Sequence, residues 1–435
     1  MASAGSAVGL GNIWKFPYIT GEYGGGAFVL VYLLTVAMIG FSVLIAEFFI
    51  GSQGRNDAVS SFETLAPTNK NSWKYAGFMA FNGLVIMTFY SVVIGWILYY
   101  IFSLLSGLPT TVDQAETIFG DLVAKKASTQ IFWHTVATII IMYVVHRGIK
   151  GGIEKVNIYL MPSLVAILVG MLFYAMNLEG FSKSLSFMFA PEWSKLNSEA
   201  LIKAVGHAFF TLSLGMGALL TYAASLPKDV SLTKTAFIVT LMDTGIAIIA
   251  GLMIFAFLFE FGEAPAKGPG LVFVSLPVIF SHLGVLGSFF ALIFFLALAF
   301  AGLTSAVSLV EPSVQYFISR FKMSRLRATL LSGSSYYIIG LFALLSYTQS
   351  YGEMFSIGGK PIFDILEHTT DAILLPIGGI LMALFVGYVL PKDMVSSHLK
   401  KEMGSMYPVW RASVRYVAPI ALIFMMLNLF GVISF

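Results

Sequence analysis

The chain has 435 residues, of which 58% are hydrophobic and only 11% charged, and its mean hydropathy is +0.86. A soluble domain has about 25% charged residues, so this chain lacks the polar surface that a water-facing protein needs. The formal net charge of +3 is too small to indicate a nucleic-acid partner, and the absence of cysteine excludes disulfides and thiolate metal sites.

Eleven apolar segments follow one another along the chain, and a run of about 20 such residues crosses about 30 Å of hydrocarbon. We therefore predict an all-α membrane protein with a single membrane domain over 1–435. Spans 1 to 11 are predicted, to within a few residues, at 1–21, 26–50, 74–106, 131–147, 153–177, 200–225, 233–260, 283–318, 325–347, 364–390 and 410–434.

Lysine and arginine are concentrated in alternate loops, for example at Arg147, Lys150, Arg325 and Arg327. Because basic loops stay in the cytoplasm, this bias predicts a cytoplasmic N-terminus in the plasma membrane. The first segment opens apolar at Met1, and we expect further residues before it. The longer loops at 107–130, 178–199 and 261–282 then face outward, some of them with short helices.

Spans 1 and 6 are each interrupted by glycines beside small polar residues. The interruptions read Gly5-Ser6-Ala7-Val8-Gly9-Leu10-Gly11-Asn12 and Thr211-Leu212-Ser213-Leu214-Gly215-Met216-Gly217. Each glycine weakens a helix by about 1 kcal/mol relative to alanine. An unwound stretch inside a membrane is tolerated where a ligand, an ion or water satisfies its backbone groups. The alternative is close helix packing, for which small residues are also used.

The two interruptions lie five spans apart, as in transporters built from inverted repeats. This spacing predicts a first repeat over 1–177, a second over 200–390, and an additional helix at 410–434. An inverted pair of halves would bring the two interruptions together.

Three stretches of the chain carry a family resemblance: Ala7-Val8-Gly9-Leu10-Gly11-Asn12-Ile13-Trp14-Lys15-Phe16-Pro17, Phe209-Phe210-Thr211-Leu212-Ser213-Leu214-Gly215 and Ala301-Gly302-Leu303-Thr304-Ser305. They resemble the first, sixth and eighth helices of the neurotransmitter:sodium symporter family, in its bacterial eleven-helix branch. The resemblance implies a 5+5 inverted repeat with discontinuous helices 1 and 6, and it extends over essentially the whole chain. It further implies sodium-coupled uptake of aliphatic and aromatic L-amino acids by alternating access, with no enzymatic activity and no obligate protein partner.

The resemblance also implies two sodium ions, held by hard oxygen ligands as a hard cation requires. For the first ion the ligands would be Ala7, Asn12, Thr211 and Asp243. For the second they would be Gly5, Val8, Ala301, Thr304 and Ser305. Hydrogen bonding of the Thr304 and Ser305 hydroxyls within their own helix is the alternative for that pair.

Asp243 departs from the family pattern, which usually has asparagine there, and it lies in an apolar run where an ionised carboxylate is costly. Chloride-independent relatives have a glutamate one turn later, where this chain has Ala247. Our hypothesis is that Asp243 supplies the compensating negative charge, which makes transport independent of chloride. A protonated, structural carboxyl group is the alternative.

The resemblance implies a substrate site around the two interruptions. Backbone and hydroxyl groups would bind the amino-acid carboxylate and ammonium, and apolar side chains would line the rest of the pocket. The substrate residues would be Ser6, Ala7, Leu10, Gly11, Ile86, Tyr90, Phe210, Thr211, Ser213, Met216, Ser305 and Leu309. Monoamine carriers of this family have aspartate at the position of Gly9, so glycine there implies a substrate with its own carboxylate.

Lys15 and Glu367 are candidates for an outer gate above an aromatic lid of Tyr90 and Phe210, although a solvated ion pair is almost as good an interpretation. On the inner side, Gly152 and Pro162 resemble a spacing that lets span 5 unwind and release the second sodium. A plain kink is the alternative, because proline removes a backbone donor in any helix.

Other classes of membrane protein fit less well. Neither HExxH nor GxSxG occurs, and the six histidines lack metal-ligand spacing, which disfavours an intramembrane enzyme. A channel would need a continuous polar lining rather than one compact cluster. A proton-coupled or uncoupled exchanger of the same fold can lack the hydroxyl pair that Thr304 and Ser305 provide, so sodium coupling is favoured.

Overall fold

The computed structural model describes residues 2–263 and 268–433, and nearly all of its secondary structure is helical. Within this part of the chain, nine helices are long and apolar enough to cross a membrane. They are Gly26–Gly54, Lys70–Ser106, Ala127–His146, Ile149–Ala175, Leu232–Glu260, Leu286–Phe321, Arg325–Leu345, Ile362–Val389 and Lys392–Leu429. They correspond to spans 2, 3, 4, 5, 7, 8, 9, 10 and 11, and the all-α prediction is confirmed.

Spans 1 and 6 complete the set of eleven, and both are discontinuous as predicted. Span 1 consists of Ala2–Ala7, then Gly11–Lys15 and Phe16–Glu22, with a bend at Val8 and Gly9. Span 6 consists of Ser198–Thr211 and Ala218–Ala224, separated by residues 212–217. In that second break Ser213, Gly215 and Gly217 have φ values of 55°, 75° and 71°. Such left-handed residues cannot continue a right-handed helix, so the chain unwinds.

Several span boundaries differ from the predicted ones by about one turn. Span 3 begins at Lys70 rather than at 74, and span 4 begins at Ala127 rather than at 131. The cause is that a helix continues into polar residues at its ends, whereas hydropathy registers only the apolar part.

Short helices lie in all three loops that were predicted to be long. These are Val112–Ala124, then Gly180–Phe189 and Trp193–Lys195, then Leu271–Ser275 and Leu276–Ser281. Three elements were not predicted individually: Ala58–Leu65 after span 2, Lys392–Met403 before the apolar part of span 11, and a hairpin of Ser356–Ile357 with Lys360–Pro361. All three are short or polar, so they have no strong hydropathy signal.

Glycines allow unusually close approach where the long spans pack around the broken ones. A Cβ on Gly83 of span 3 would lie 2.2 Å from the Leu309 carbonyl oxygen of span 8. A Cβ on Gly51 of span 2 would lie 2.2 Å from the Leu220 carbonyl oxygen in the second half of span 6. Spans 2, 3 and 8 therefore form a tight frame around the two breaks.

Candidate functional site

The two breaks meet, and side-chain hydroxyls connect them. The Ser213 hydroxyl of span 6 donates to the Ser6 carbonyl of span 1 at 2.8 Å. From span 8, the Ser305 hydroxyl lies 3.0 Å from the Val8 carbonyl oxygen and 3.3 Å from that of Ser6. Carbonyls that a continuous helix would use internally are thus directed at neighbouring spans.

Asp243 of span 7 forms the centre of a buried polar cluster at this meeting point. The Asn12 side-chain amide donates to one carboxylate oxygen of Asp243 at 2.7 Å, and the Thr211 hydroxyl donates to the same oxygen at 2.8 Å. The Tyr32 hydroxyl is 3.5 Å from the other oxygen. Three of the four residues predicted for the first sodium, Asn12, Thr211 and Asp243, are therefore hydrogen-bonded together, and the fourth, Ala7, lines the same cavity as Thr211.

A small cavity lies between spans 1, 3, 6 and 8. Eleven of the twelve residues predicted to bind substrate line it, together with Gly9. They are Ser6, Ala7, Gly11, Ile86, Tyr90, Phe210, Thr211, Ser213, Met216, Ser305 and Leu309. The twelfth, Leu10, lines the adjacent cavity with Tyr90 and Phe210, and its backbone N–H donates to the Tyr90 hydroxyl at 3.2 Å.

The two hydroxyls predicted for the second sodium differ in their surroundings. The Thr304 hydroxyl lies 2.9 and 3.0 Å from the Phe300 and Ala301 carbonyls of its own helix, as the alternative interpretation expected. The Ser305 hydroxyl instead reaches across to span 1. Gly5, also in the predicted set, packs so closely on Asn157 of span 5 that a Cβ would lie 2.4 Å from its amide nitrogen.

Tyr32 and Asn157 were not among the predicted site residues. A tyrosine or an asparagine within a long apolar segment is a weak signal, because such residues often serve packing alone. Only the register between spans 2, 5 and 7 brings them to the breaks.

Lys15 lies above the cavity and pairs with two carboxylates of span 10. Its ammonium is 3.1 Å from Glu367, the predicted partner, and it also forms an ion pair with Asp371. It lies 4.5 Å from the centre of the Phe210 ring, within cation–π range. The sequence reasoning missed Asp371, although its position four residues after Glu367 puts both on one face of a helix.

The predicted release hinge lies in a wound helix. Gly152 is in the first turn of span 5, within Ile149–Ile153, and Pro162 lies inside Glu154–Ala175. A Cβ on Gly152 would lie 2.2 Å from the Val144 carbonyl oxygen, so this glycine also has a packing reason.

Comparisons with known proteins identify the family and the fold. The model of the sodium:neurotransmitter symporter family matches residues 1–117 and 122–435. The crystal structure of MhsT in complex with L-phenylalanine is 41% identical and has a TM-score of 0.91, over 98% of this chain and 97% of that one. This confirms the resemblance predicted from the sequence.

Relatives from other organisms extend the agreement. An uncharacterized sodium-dependent transporter of Haemophilus influenzae is 36% identical over 99% of this chain and 96% of its own length. The uncharacterized sodium-dependent transporter YhdH of Bacillus subtilis is 34% identical over 100% of this chain and 96% of its own length. The sodium-dependent nutrient amino acid transporter 1 of Drosophila mojavensis is 24% identical over 84% of this chain and 67% of its own length. The chain described here belongs to the sodium:neurotransmitter symporter family, whose members are multi-pass, sodium-dependent membrane transporters.

Proposed function

We propose that this chain is a sodium-coupled symporter that takes hydrophobic L-amino acids into the cell. The observation that carries the proposal is the small cavity at which the breaks of spans 1 and 6 meet, lined by residues of both breaks and by apolar side chains. Such a site suits a zwitterion with a hydrophobic side chain. MhsT, the similar structure, is bound to L-phenylalanine, and this supports the same class of substrate here.

The polar end of the substrate would be held by groups that already hydrogen-bond to one another. The Leu10 N–H and the Tyr90 hydroxyl would bind the carboxylate. The Ser6 carbonyl and the Ser213 hydroxyl, which bond to each other, would bind the ammonium.

Gly9 supports a substrate that brings its own carboxylate. A Cβ at this position would lie 2.4 Å from the Ser305 hydroxyl and 3.0 Å from the Tyr90 hydroxyl. A longer acidic side chain of the kind found in monoamine carriers has no room here without displacing both groups. An amine without a carboxylate would leave donors unpaired in a buried site, which is costly.

The apolar end of the cavity supports broad selectivity for hydrophobic side chains. Ile86, Phe210, Met216 and Leu309 line it. Methionine is unbranched and polarizable, so Met216 can adapt to aliphatic and aromatic substrates.

Two sodium ions would travel with the amino acid. The first would be held by Asn12, Thr211 and Asp243 with the carbonyls of Ala7 and Thr211. The second would be held by the Ser305 and Thr304 hydroxyls with the carbonyls of Gly5, Val8 and Ala301. The Ser305 hydroxyl already contacts the Val8 carbonyl, which supports this set, and oxygen is the ligand that a hard cation prefers.

Asp243 would make transport independent of chloride. Its buried carboxylate accepts hydrogen bonds from Asn12 and Thr211. An ionised carboxylate at this depth is costly unless a cation pairs with it, and a sodium ion between these groups would do so.

Alternating access requires two ends that open in turn. Lys15, with Glu367 and Asp371, would close the outer end above Phe210, and Gly152 with Pro162 would let span 5 open the inner end. The repeats would be 1–177 and 200–390, with the N-terminus in the cytoplasm and the chain in a bacterial plasma membrane.

Uptake into proteoliposomes tests the proposal. Labelled L-leucine and L-tryptophan should accumulate in an imposed sodium gradient, and replacing sodium by potassium should abolish uptake. Replacing chloride by gluconate should leave uptake unchanged. Uptake driven equally well by a proton gradient without sodium would refute sodium coupling, and a need for chloride would refute the role of Asp243.

The stoichiometry follows from accumulation at a fixed voltage. Each positive charge gains about 2.3 kcal/mol per 100 mV, which is worth roughly a 50-fold concentration ratio. With no sodium gradient and 100 mV, one sodium per zwitterion supports roughly 50-fold accumulation, and two support roughly 2,000-fold. We expect the larger value.

A further inference from the structure

The unwound segment of span 6, residues 212–217, carries a residue of the substrate cavity on an unusual backbone. Gly215 and Gly217 are both left-handed, and Met216 between them is buried and lines the cavity. Backbone hydrogen bonds tie Leu212, Ser213 and Leu214 to the first half of span 6, and the Gly217 carbonyl accepts the Thr221 N–H of the second half. The Gly215–Met216 peptide lies between these anchored ends, so its contacts with other spans bear on where the Met216 side chain points.

Asn82 of span 3 makes the relevant contacts. Its side-chain NH₂ group lies 2.8 Å from the Gly215 carbonyl oxygen and 3.2 Å from the Leu374 carbonyl oxygen of span 10. Both acceptors are carbonyls, and an amide NH₂ has two donors, so both are used. Asn82 therefore connects span 3 to the break in span 6 and to span 10.

The peptide that Asn82 holds is also confined sterically. A Cβ on Gly378 of span 10 would lie 2.4 Å from the Gly215 carbonyl oxygen. A Cβ on Gly215 would lie 2.4 Å from the Leu375 carbonyl oxygen. The Gly215 carbonyl is therefore enclosed between spans 3 and 10, and it belongs to the peptide unit that leads directly into Met216.

Asn82 itself does not line the cavity, but it continues the face of span 3 that does. Ile86 and Tyr90 follow it at four-residue intervals, and both line the cavity. It also stands where span 3 changes from a 3₁₀ stretch, Lys74–Phe81, to the α-helix Asn82–Ser103. Mid-helix 3₁₀ stretches often mark functional hinges.

We propose that Asn82 is a specificity-determining positioning residue, which sets how far Met216 reaches into the cavity and so determines the balance between small and bulky amino-acid substrates. The same amide links this pocket wall to span 10, the helix that carries Glu367 and Asp371. The inference rests on the proposed function, since it concerns selection among amino acids at the same site.

Asn82→Leu, of similar size but without donors, tests the role in purified transporter reconstituted into proteoliposomes. Without the two hydrogen bonds, residues 212–217 relax and Met216 can yield to a larger substrate. The ratio of KM for L-tryptophan to KM for L-alanine should fall by roughly tenfold, the effect of losing a buried hydrogen bond. The sodium concentration for half-maximal uptake should change less than twofold. Asn177→Leu is the matched control, because Asn177 is exposed and its side-chain amide donates to the Phe173 and Tyr174 carbonyls of its own helix.

Two further variants separate positioning from general structural damage. Asn82→Gln retains the donors and should recover most of the wild-type ratio. In a Met216→Ala background, Asn82→Leu should leave the ratio unchanged, because the side chain it positions is gone. If Asn82→Leu does not yield folded protein, Asn82→Ser serves in the same measurements.

An unchanged ratio in Asn82→Leu, or an equal loss of maximal rate for every substrate, would overturn the proposal. A selectivity shift that persists fully in the Met216→Ala background would overturn it as well. Wild-type chain that takes up no amino acid would instead refute the proposed function, so the two failures are distinguishable.

Discussion

The breaks in spans 1 and 6 expose backbone groups at the same place by different means. The break in span 1 involves Val8 and Gly9, both with negative φ, and the Asn12 side chain accepts the Gly9 N–H at 2.8 Å. The break in span 6 is six residues long, and three of them are left-handed. The first break is thus contacted by Asn12 of its own span and by the Ser213 and Ser305 hydroxyls of spans 6 and 8. The second break is contacted by Asn82 of span 3, and Glu47 of span 2 accepts the Leu220 N–H just after it at 3.3 Å.

This difference indicates a division of roles. A short break whose backbone groups are fixed by several hydrogen bonds is suited to binding ions, whose ligand distances tolerate little change. A long break held by other spans can adapt to substrates of different size. Substitutions around span 1 and Asp243 should therefore affect sodium coupling strongly, whereas substitutions that act on span 6 should affect selectivity.

The largest effect is expected for Asp243→Asn. The substitution removes the buried charge that would pair with the first sodium, so sodium-driven uptake in gluconate should fall by about a hundredfold, which corresponds to about 2.7 kcal/mol. Added chloride should restore part of it, because an anion can then supply the missing charge. Initial rates of labelled leucine uptake in the two anions measure this.

Asp113→Asn is the control for that experiment, since Asp113 is an exposed residue of Val112–Ala124. Full activity of Asp243→Asn in gluconate would contradict the assigned role of the carboxylate.

Gly9→Ala should give the next largest effect. The added Cβ would lie 2.4 Å from the Ser305 hydroxyl, which itself contacts the Val8 carbonyl. One of these groups must move, and overpacking costs about 1–3 kcal/mol, so uptake should fall by roughly tenfold or more. Gly170→Ala in span 5 is the matched control, because a Cβ there meets no atom within 4 Å. Equal uptake by the two variants would show that the first break has room for a Cβ, contrary to this prediction.

Substitutions in the proposed outer gate should have a smaller effect on uptake, shared between two carboxylates. Lys15 pairs with both Glu367 and Asp371, so either carboxylate alone still neutralises it. We expect Glu367→Gln and Asp371→Asn to raise KM by only about twofold each, in keeping with the modest value of partly solvated ion pairs. The KM of the double variant should equal that of Lys15→Gln. If the two single changes in KM simply add up in the double variant, the two ion pairs act independently.

Pro162→Ala should give the smallest effect. Restoring the backbone donor stabilises a wound span 5, which would slow release of the second sodium and lower the maximal rate a few-fold without changing KM. Pre-steady-state sodium release from proteoliposomes provides the measurement. Unchanged release would assign Pro162 to a simple kink and Gly152 to packing on Val144.

Much of the architecture was predictable because it depends on local composition. Hydropathy located the spans, and the paired glycines located both breaks, since weak helix propensity and left-handed φ values are properties of single residues. The family resemblance, which three short motifs carry and which extends over the whole chain, was sufficient to name eleven of the residues that line the cavity. The polar ends of the spans and the short hairpin were not predictable in the same way, because hydropathy does not register them.

What the sequence by itself determined is therefore the membrane class, the number of spans, the two breaks and the unusual buried Asp243. The tertiary structure alone decided three further contacts. Asp371 shares Lys15 with Glu367, and Asn82 donates to the Gly215 carbonyl. Ser305 faces span 1, whereas the Thr304 hydroxyl bonds within its own helix. Each of these contacts depends on the rotation and axial register of one helix against another. Those quantities are set by the packing of the whole bundle, and no local pattern of residues encodes them.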